Sequence, residues 1–241
     1  MVYLSAVLLL LYSTCVFSDE GSLLTPCKVD DTACLSKTTQ QFLEKTSHGI
    51  PEYDIKAIDP LIINCLEIVI SDDLKTVLHY KNLNITGLKN QQFSDMKMDT
   101  NAKSVVLQTR ADLNIVGDVT VELGKMQKSF SGTYTLKGTA LGTSSYGYSF
   151  RTDDKGVEHY EVGPETISCQ TVNEPEVTLG PELRQAIDQD EILKEKKENF
   201  KRKDLHKSVF CKMVEKAYVT VVHNIRAAAK VMPKSAFLEG V

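Results

Sequence analysis

The sequence predicts an α+β protein in which one long C-terminal α-helix is wrapped by an antiparallel β-sheet. Between residues 66 and about 162, apolar and polar side chains alternate with period two, which is typical of strands with one dry and one wet side. Residues 207–230 instead follow a helical period and are apolar around most of the helix, so other structure must enclose them. A sheet wrapped around one helix leaves spaces at its ends, where apolar ligands can fit.

Length and composition indicate a folded protein. Hydrophobic residues make up 42% of the 241 residues, which is enough to fill a core, and intrinsic disorder is excluded. We predict a single domain over residues 19–241.

Residues 1–18 are predicted to be a secretory signal peptide. An apolar run reaches Leu11, small or β-branched residues follow at Val16 and Ser18, and the acidic pair Asp19 and Glu20 comes next. We place cleavage after Ser18 and expect a secreted, extracellular protein. The alternative is a buried N-terminal helix.

The first helix of the domain is predicted over residues 32–47. Asp31 and Thr32 can cap it, and Gly49 can end it. Ile50 and Pro51 then force an extended exit.

The strands are predicted from alternation and from same-face rows, and the turns from glycine and asparagine. The inward strand residues are Leu113, Ile115, Val119, Val121 and Leu123, continued by Tyr134 and Leu136 and by the row Tyr146, Tyr148 and Phe150. The predicted turn residues are Gly87, Asn90, Gly124, Gly142 and the segment 153–156.

Two segments of different character follow the strands. Residues 181–203 are rich in Glu and Lys and are predicted to form a solvated helix or a mobile charged loop rather than a binding site. The long helix comes next. Its apolar residues are Val209, Phe210, Met213, Val214, Ala217, Tyr218, Val221, Val222, Ile225 and Ala228.

Five cysteines remain after cleavage, and in an oxidising compartment they are disulfide candidates. Counting alone cannot select a pairing. Cys27 and Cys34 flank a polar segment that can fold back as a short loop, whereas Cys65 lies in an apolar run and is predicted to be a buried thiol. Cys169 is left to pair with Cys211.

Several functional classes are disfavoured. The net charge of −4 has the wrong sign for neutralising phosphates, so no nucleic-acid partner is expected. No stretch after the first twelve residues is apolar enough to span a membrane. Hydrolase, phosphate-loop and zinc motifs are absent from the sequence, so we expect neither an enzyme nor a cofactor.

The sequence Asn-Ile-Thr at residues 84–86 is an N-glycosylation acceptor, which is meaningful because the chain is expected to be secreted. It predicts that Asn84 is exposed and that Leu83 and Ile85 point inward.

Segments along nearly the whole mature chain carry a family resemblance. They are Leu-Leu-Thr-Pro-Cys at 23–27 with Cys34, Gly-Ile-Pro-Glu-Tyr-Asp-Ile at 49–55 with Asp-Pro-Leu at 59–61, Lys-Asn-Leu-Asn-Ile-Thr-Gly-Leu at 81–88, Tyr-Gly-Tyr at 146–148 and Val-Val-His-Asn-Ile-Arg-Ala at 221–227. The chain thereby resembles the lepidopteran juvenile hormone binding proteins of insect haemolymph, within the wider takeout-like family. Cys65 and residues 188–204 have no counterpart in the family pattern.

The resemblance implies a tubular lipid-binding fold of super-roll type, with a highly curved sheet around the long helix and the two disulfides given above. It also implies a closed apolar cavity for juvenile hormone, a sesquiterpenoid with an epoxide and a methyl ester. The expected protein is a monomeric haemolymph carrier that dissolves the hormone and protects it from esterases. The alternatives are a takeout-like carrier of a fatty acid or another terpenoid, a structural or interaction protein, and an enzyme whose site leaves no linear motif.

Similarity assigns Tyr146 as the donor to the epoxide oxygen, with an ordinary core tyrosine as the alternative. Tyr160, Phe42, Val221 and Phe237 are the predicted wall and lid residues, each of which could equally be ordinary core. The helix at residues 32–47 is the predicted gate, because the Cys27 to Cys34 loop tethers one end and residues 49–51 release the other.

Overall fold

The computed structural model describes residues 23–70, 74–191, 194 and 203–240. The predicted signal peptide at residues 1–18 and most of the charged segment 188–204 lie outside these residues. Within the described parts of the chain, no helix is long and apolar enough to cross a membrane.

In the described parts of the chain, seven strands form one antiparallel sheet. They are β1 (Leu61–Val69), β2 (Thr76–Thr86), β3 (Gln92–Asp99), β4 (Ser104–Leu123), β5 (Lys128–Thr152), β6 (Glu158–Thr171) and β7 (Glu176–Leu179). The main order is β1-β2-β4-β5-β6, with β3 added beside β4 and β7 beside β5. At about 3.3 Å per residue, a straight β5 would be about 80 Å long, so the sheet curls on itself.

Among the residues that the structure describes, three α-helices accompany the sheet. They are α1 (Thr32–Lys45), α2 (Pro181–Gln189) and α3 (Lys203–Val231). The α3 helix packs mainly against β5 and β6, with its apolar residues buried in the concave side of the sheet. The predicted α+β fold, with a long helix enclosed by a curved sheet, is confirmed.

The predicted boundaries need small changes. The α1 helix ends two residues early, α3 begins four residues early, and the sheet starts at Leu61 and continues to Leu179. The described start of the charged segment is not fully solvated, because α2 buries Leu183, which is 1% exposed, against Gly132 of β5.

The prediction of a turn at Gly142 is wrong. Gly142 lies inside β5, paired with Thr109 of β4 and Cys169 of β6. A Cβ atom at this position would be 2.8 Å from Cε2 of Tyr218. The glycine therefore makes room for the Tyr218 ring of α3, whose hydroxyl oxygen lies 2.7 Å from Thr109 Oγ1.

Both predicted disulfides are present, joining Cys27 to Cys34 and Cys169 to Cys211. Cys65 is a free cysteine, as predicted, but it is exposed and not buried. Asn82 of β2 has φ +53°, and the register between β2 and β4 shifts at this point. The alternation of β1 and β2 therefore changes phase, and the shift turns Cys65 outward.

Asn84 is exposed while Leu83 and Ile85 are fully buried. The predicted orientation of this strand is confirmed.

Candidate functional site

An apolar cavity, called here the front cavity, lies between α1, the sheet and the C-terminal half of α3. Its volume is about 50 Å³. Its walls are Leu24, Leu35, Thr38, Thr39, Phe42, Met96, Met98, Tyr146, Tyr160, Ile225, Ala228, Phe237 and Leu238. This volume is smaller than the roughly 300–1,000 Å³ of typical small-molecule pockets, so the walls must move apart for a ligand to enter.

The α1 helix forms one side of the front cavity. Its lining residues Leu35, Thr38, Thr39 and Phe42 recur at helical spacing, so they share one face. Both threonine hydroxyls have protein partners, because Thr38 Oγ1 accepts a bond of 2.7 Å from the backbone N–H of Thr25, and Thr39 Oγ1 donates to Leu35 O at 2.8 Å and lies 3.6 Å from Met96 Sδ. This face of α1 therefore presents mostly apolar surface.

The ends of α1 are held as its sequence predicts. The Asp31 side chain accepts a hydrogen bond of 2.9 Å from the backbone N–H of Cys34, which caps the helix. The disulfide to Cys27 ties the same end to the preceding segment. At the other end, Gly49 has φ +82° and turns the chain away.

Residues 237–238 close the cavity beside the Cys27 segment. The N–H of Cys27 donates to Phe237 O at 3.2 Å, and the N–H of Glu239 donates to Cys27 O at 2.9 Å. The Phe237 ring lies 5.7 Å from the Tyr160 ring, centre to centre. The wall thus joins segments from the two ends of the described sequence.

Tyr146 and Tyr160 supply the tyrosine hydroxyls of the front cavity, and each affects the pKa of the other. Burial raises the pKa of Tyr146 to about 12, against a smaller lowering effect of the Tyr160 hydroxyl and of the Arg226 charge. Burial also raises the pKa of Tyr160, with a further increase from Tyr146. Both groups are neutral hydroxyls near neutral pH and can exchange hydrogen bonds with an uncharged ligand oxygen.

Arg226 of α3 holds the strand that carries Tyr160. Its guanidinium donates to Val162 O at 3.0 Å and to Gly163 O at 2.7 Å, and it forms an ion pair with Glu165. Glu165 is the register partner of Tyr146 on β5. The arginine therefore ties α3 to β6 beside the tyrosine pair.

The structure brings together four of the five residues predicted to form the ligand site, namely Phe42, Tyr146, Tyr160 and Phe237. Val221 is 3% exposed and lies one turn before Ile225 on α3, where it is packed in the helix–sheet core and does not line the cavity. Ile225 and Ala228 provide the helix part of the wall instead.

Sequence reasoning missed Met96 and Met98 of β3. Their spacing of two is the available signal, since it places both on one face of the strand. Methionine is flexible and polarizable, so this wall can adapt to the shape of a ligand.

A second apolar cavity, called here the rear cavity, lies at the N-terminal end of α3. Its volume is about 80 Å³, and it lies between the sheet and the helices α2 and α3. Its walls are Leu78, Tyr80, Val119, Val121, Phe130, Tyr134, Val177, Leu179, Leu183, Ile187, Leu205, His206 and Val209. Val209 and Ile225 are 16 residues apart, about 24 Å along the helix, so the two cavities lie at opposite ends of α3.

The rear cavity also contains a tyrosine pair. The rings of Tyr80 and Tyr134 meet edge to face with centres 5.4 Å apart, and burial raises the pKa of Tyr80 and raises the pKa of Tyr134 to about 12. Among the described side chains, no group of three or more His, Cys, Asp or Glu is placed to hold a metal ion.

Comparison with known proteins agrees with this architecture. The model of the family "Haemolymph juvenile hormone binding protein" matches residues 6–162. The Juvenile hormone-binding protein of Manduca sexta is 50% identical over 228 residues, which cover 94% of this chain and 100% of that protein. The crystal structure of Epiphyas postvittana Takeout 1 has the same fold, with a TM-score of 0.75 at 18% identity over 90% of this chain and 100% of that one. The chain therefore belongs to the haemolymph juvenile hormone binding protein family.

Proposed function

We propose that this protein is a secreted, monomeric haemolymph carrier that binds juvenile hormone in the front cavity. It keeps the hormone in solution and protects its ester from esterases, and it performs no catalysis of its own. Residues 1–18 direct export and are removed after Ser18. The observation that carries the proposal is an apolar cavity beneath α1 that contains the hydroxyls of Tyr146 and Tyr160.

The apolar walls suit an isoprenoid chain. Burial of about 400 Å² of apolar ligand surface stabilises the complex by roughly 10 kcal/mol before the cost of lost motion. This supports an affinity between nanomolar and micromolar, as a circulating carrier requires. The 50% identity to the protein from Manduca sexta supports the same ligand class.

The tyrosine pair orients the ligand. A hydrogen bond between the two hydroxyls would use one of their two protons and leave the other to be donated to an ether-type oxygen. We assign that donor to Tyr146, because the positive charge of Arg226 makes its hydroxyl more acidic. The epoxide oxygen of the hormone is the proposed acceptor.

Replacement of Tyr146 by Phe is expected to weaken hormone binding by about 1–2 kcal/mol, or about 5- to 30-fold in Kd. The variant keeps the ring and loses only the hydroxyl, so the far-ultraviolet circular dichroism spectrum should not change. Equilibrium binding of radiolabelled juvenile hormone measures the effect.

Tyr134→Phe is the matched control, because it removes an equally buried, paired hydroxyl from the rear cavity. Its Kd should equal that of the unmodified protein. Weaker binding by Tyr134→Phe with normal binding by Tyr146→Phe would place the hormone in the rear cavity. Stronger displacement of the radiolabel by a long-chain fatty acid than by unlabelled hormone would favour the takeout-like alternative.

The α1 helix is the proposed gate of the front cavity. It supplies four wall residues and is fixed at its start by a disulfide. After its end, the chain turns away from the site at Gly49. Bound ligand adds contacts to Leu35 and Phe42 that only the closed helix can make, so it should favour the closed state.

Amide hydrogen exchange of residues 32–45 is therefore expected to slow on addition of hormone. The α2 helix is the internal reference, because it covers the rear cavity and should exchange at an unchanged rate. Equal protection of both helices would indicate general stabilisation, and unchanged rates in α1 would argue against a gate.

A further inference from the structure

The outer face of the sheet carries an apolar row centred on Asn84. Ile62 of β1 and Val116 of β4 are the direct register partners of Asn84 on its two sides. Ile62 is 51% exposed and Val116 is 40% exposed, although both are branched apolar side chains. Side chains at directly opposed positions in a sheet lie about 5 Å apart, so all three form one surface.

This apolar surface includes an edge strand of the sheet. Among the described strands, β1 pairs only with β2, so Ile62 lies on an edge strand. Exposed apolar side chains on an edge strand favour association with other chains unless something covers them. No described side chain covers this row, since both apolar residues remain largely exposed.

The middle of the row is chemically distinct. Asn84 begins the acceptor sequence Asn-Ile-Thr, and the full burial of Leu83 and Ile85 directs its side chain away from the core. A sugar attached to its amide nitrogen would start between Ile62 and Val116. The C–H faces of sugar rings pack well on such apolar side chains.

We propose that Asn84 carries an N-linked glycan whose innermost sugars cover Ile62 and Val116 and keep this face of the sheet from associating. The inference rests on the export part of the proposed function and is independent of the hormone. In the modification, the Asn84 amide nitrogen forms a bond to the anomeric carbon of an oligosaccharide carried on a lipid diphosphate. The anomeric C–O bond breaks, the lipid diphosphate leaves with the electron pair, and one amide proton is released.

The first test is expression of the full chain in insect cells, followed by intact-mass measurement of protein from the medium. The unmodified sequence should carry the added mass of several hexoses and N-acetylhexosamines, and Asn84→Gln should not. Thr86→Ser is the matched control, because it keeps the acceptor sequence and should keep the glycan. Secreted protein with the bare polypeptide mass would overturn this inference and leave export intact, whereas protein retained in the cells with residues 1–18 attached would overturn both.

The second test concerns the shielding. Sedimentation velocity should show a several-fold larger associated fraction for Asn84→Gln than for the glycosylated protein. Further replacement of Ile62 and Val116 by Thr in the Asn84→Gln background should restore the monomer. Equal association of glycosylated and Asn84→Gln proteins would refute the shielding role.

Discussion

Raising the pH from 9 to 12 is expected to unfold the protein cooperatively. Below pH 10, the buried tyrosines should contribute their full share to the free energy of unfolding. Burial raises the pKa of Tyr134, Tyr146 and Tyr218 to about 12, whereas an unfolded tyrosine ionises near its ordinary pKa of 10. Between these values the unfolded chain holds fewer protons than the folded chain, so the free energy of unfolding falls as the pH rises. Each of the three side chains contributes up to about 3 kcal/mol, which together approaches the whole stability of a typical domain.

Tyrosinate absorbance and circular dichroism, followed together during an alkaline titration, measure this effect. The buried tyrosines should ionise in the same step in which the secondary structure is lost, and protein in concentrated urea should ionise near pH 10. In Tyr218→Phe, the decrease of unfolding free energy with pH should be shallower by about 1.4 kcal/mol per pH unit. Complete ionisation below pH 11 with an intact dichroism spectrum would contradict the prediction.

Removal of the disulfide between Cys169 and Cys211 is expected to lower the free energy of unfolding by about 4 kcal/mol. The two residues are 42 apart in sequence, and the bond restricts the unfolded chain accordingly. It also joins β6 to α3, so its loss should weaken the attachment of the long helix to the sheet. Urea unfolding of the Cys169→Ala, Cys211→Ala double variant provides the measurement.

Cys65→Ser is the control for this experiment, because Cys65 is exposed and unbridged. It should change stability by less than about 0.5 kcal/mol. Unfolding midpoints that are equal for the double variant and the oxidised parent protein would show that the bridge contributes nothing.

Much of this fold could be predicted from local patterns. The cap at Asp31 and the helical spacing of Leu35 and Phe42 define α1, and the apolar residues around α3 require an enclosing sheet. These features follow from short-range periodicity, which the sequence displays directly. The end spaces of the enclosed helix correspond to the two cavities.

The errors came from features that depend on distant residues. The outward turn of Cys65 depends on the positive φ at Asn82 of the neighbouring strand, and no pattern within β1 reveals it. Gly142 resembles a turn residue until the Tyr218 ring is placed beside it. In both cases long-range packing overrides the local signal.

The candidate site was predictable only in part, for the same reason. Its walls come from four distant stretches of chain, and a cavity is a property of their assembly. Aromatic residues such as Tyr160 and Phe237 stand out in the sequence, whereas Met96 and Met98 gain their role only by facing α1. Val221 lies on the same helix as Ile225, but one turn earlier, where it packs in the helix–sheet core and does not reach the cavity.

The pairing of Cys27 with the backbone near Phe237 has a practical consequence for engineering the protein. A purification tag or fluorescent fusion attached after Gly240 would emerge against the ligand-facing corner and could obstruct loading. The hairpin at residues 124–127 belongs to the far end of the barrel-like sheet, where its backbone pairs with residues 74–75. Labels intended to leave uptake undisturbed are better inserted there.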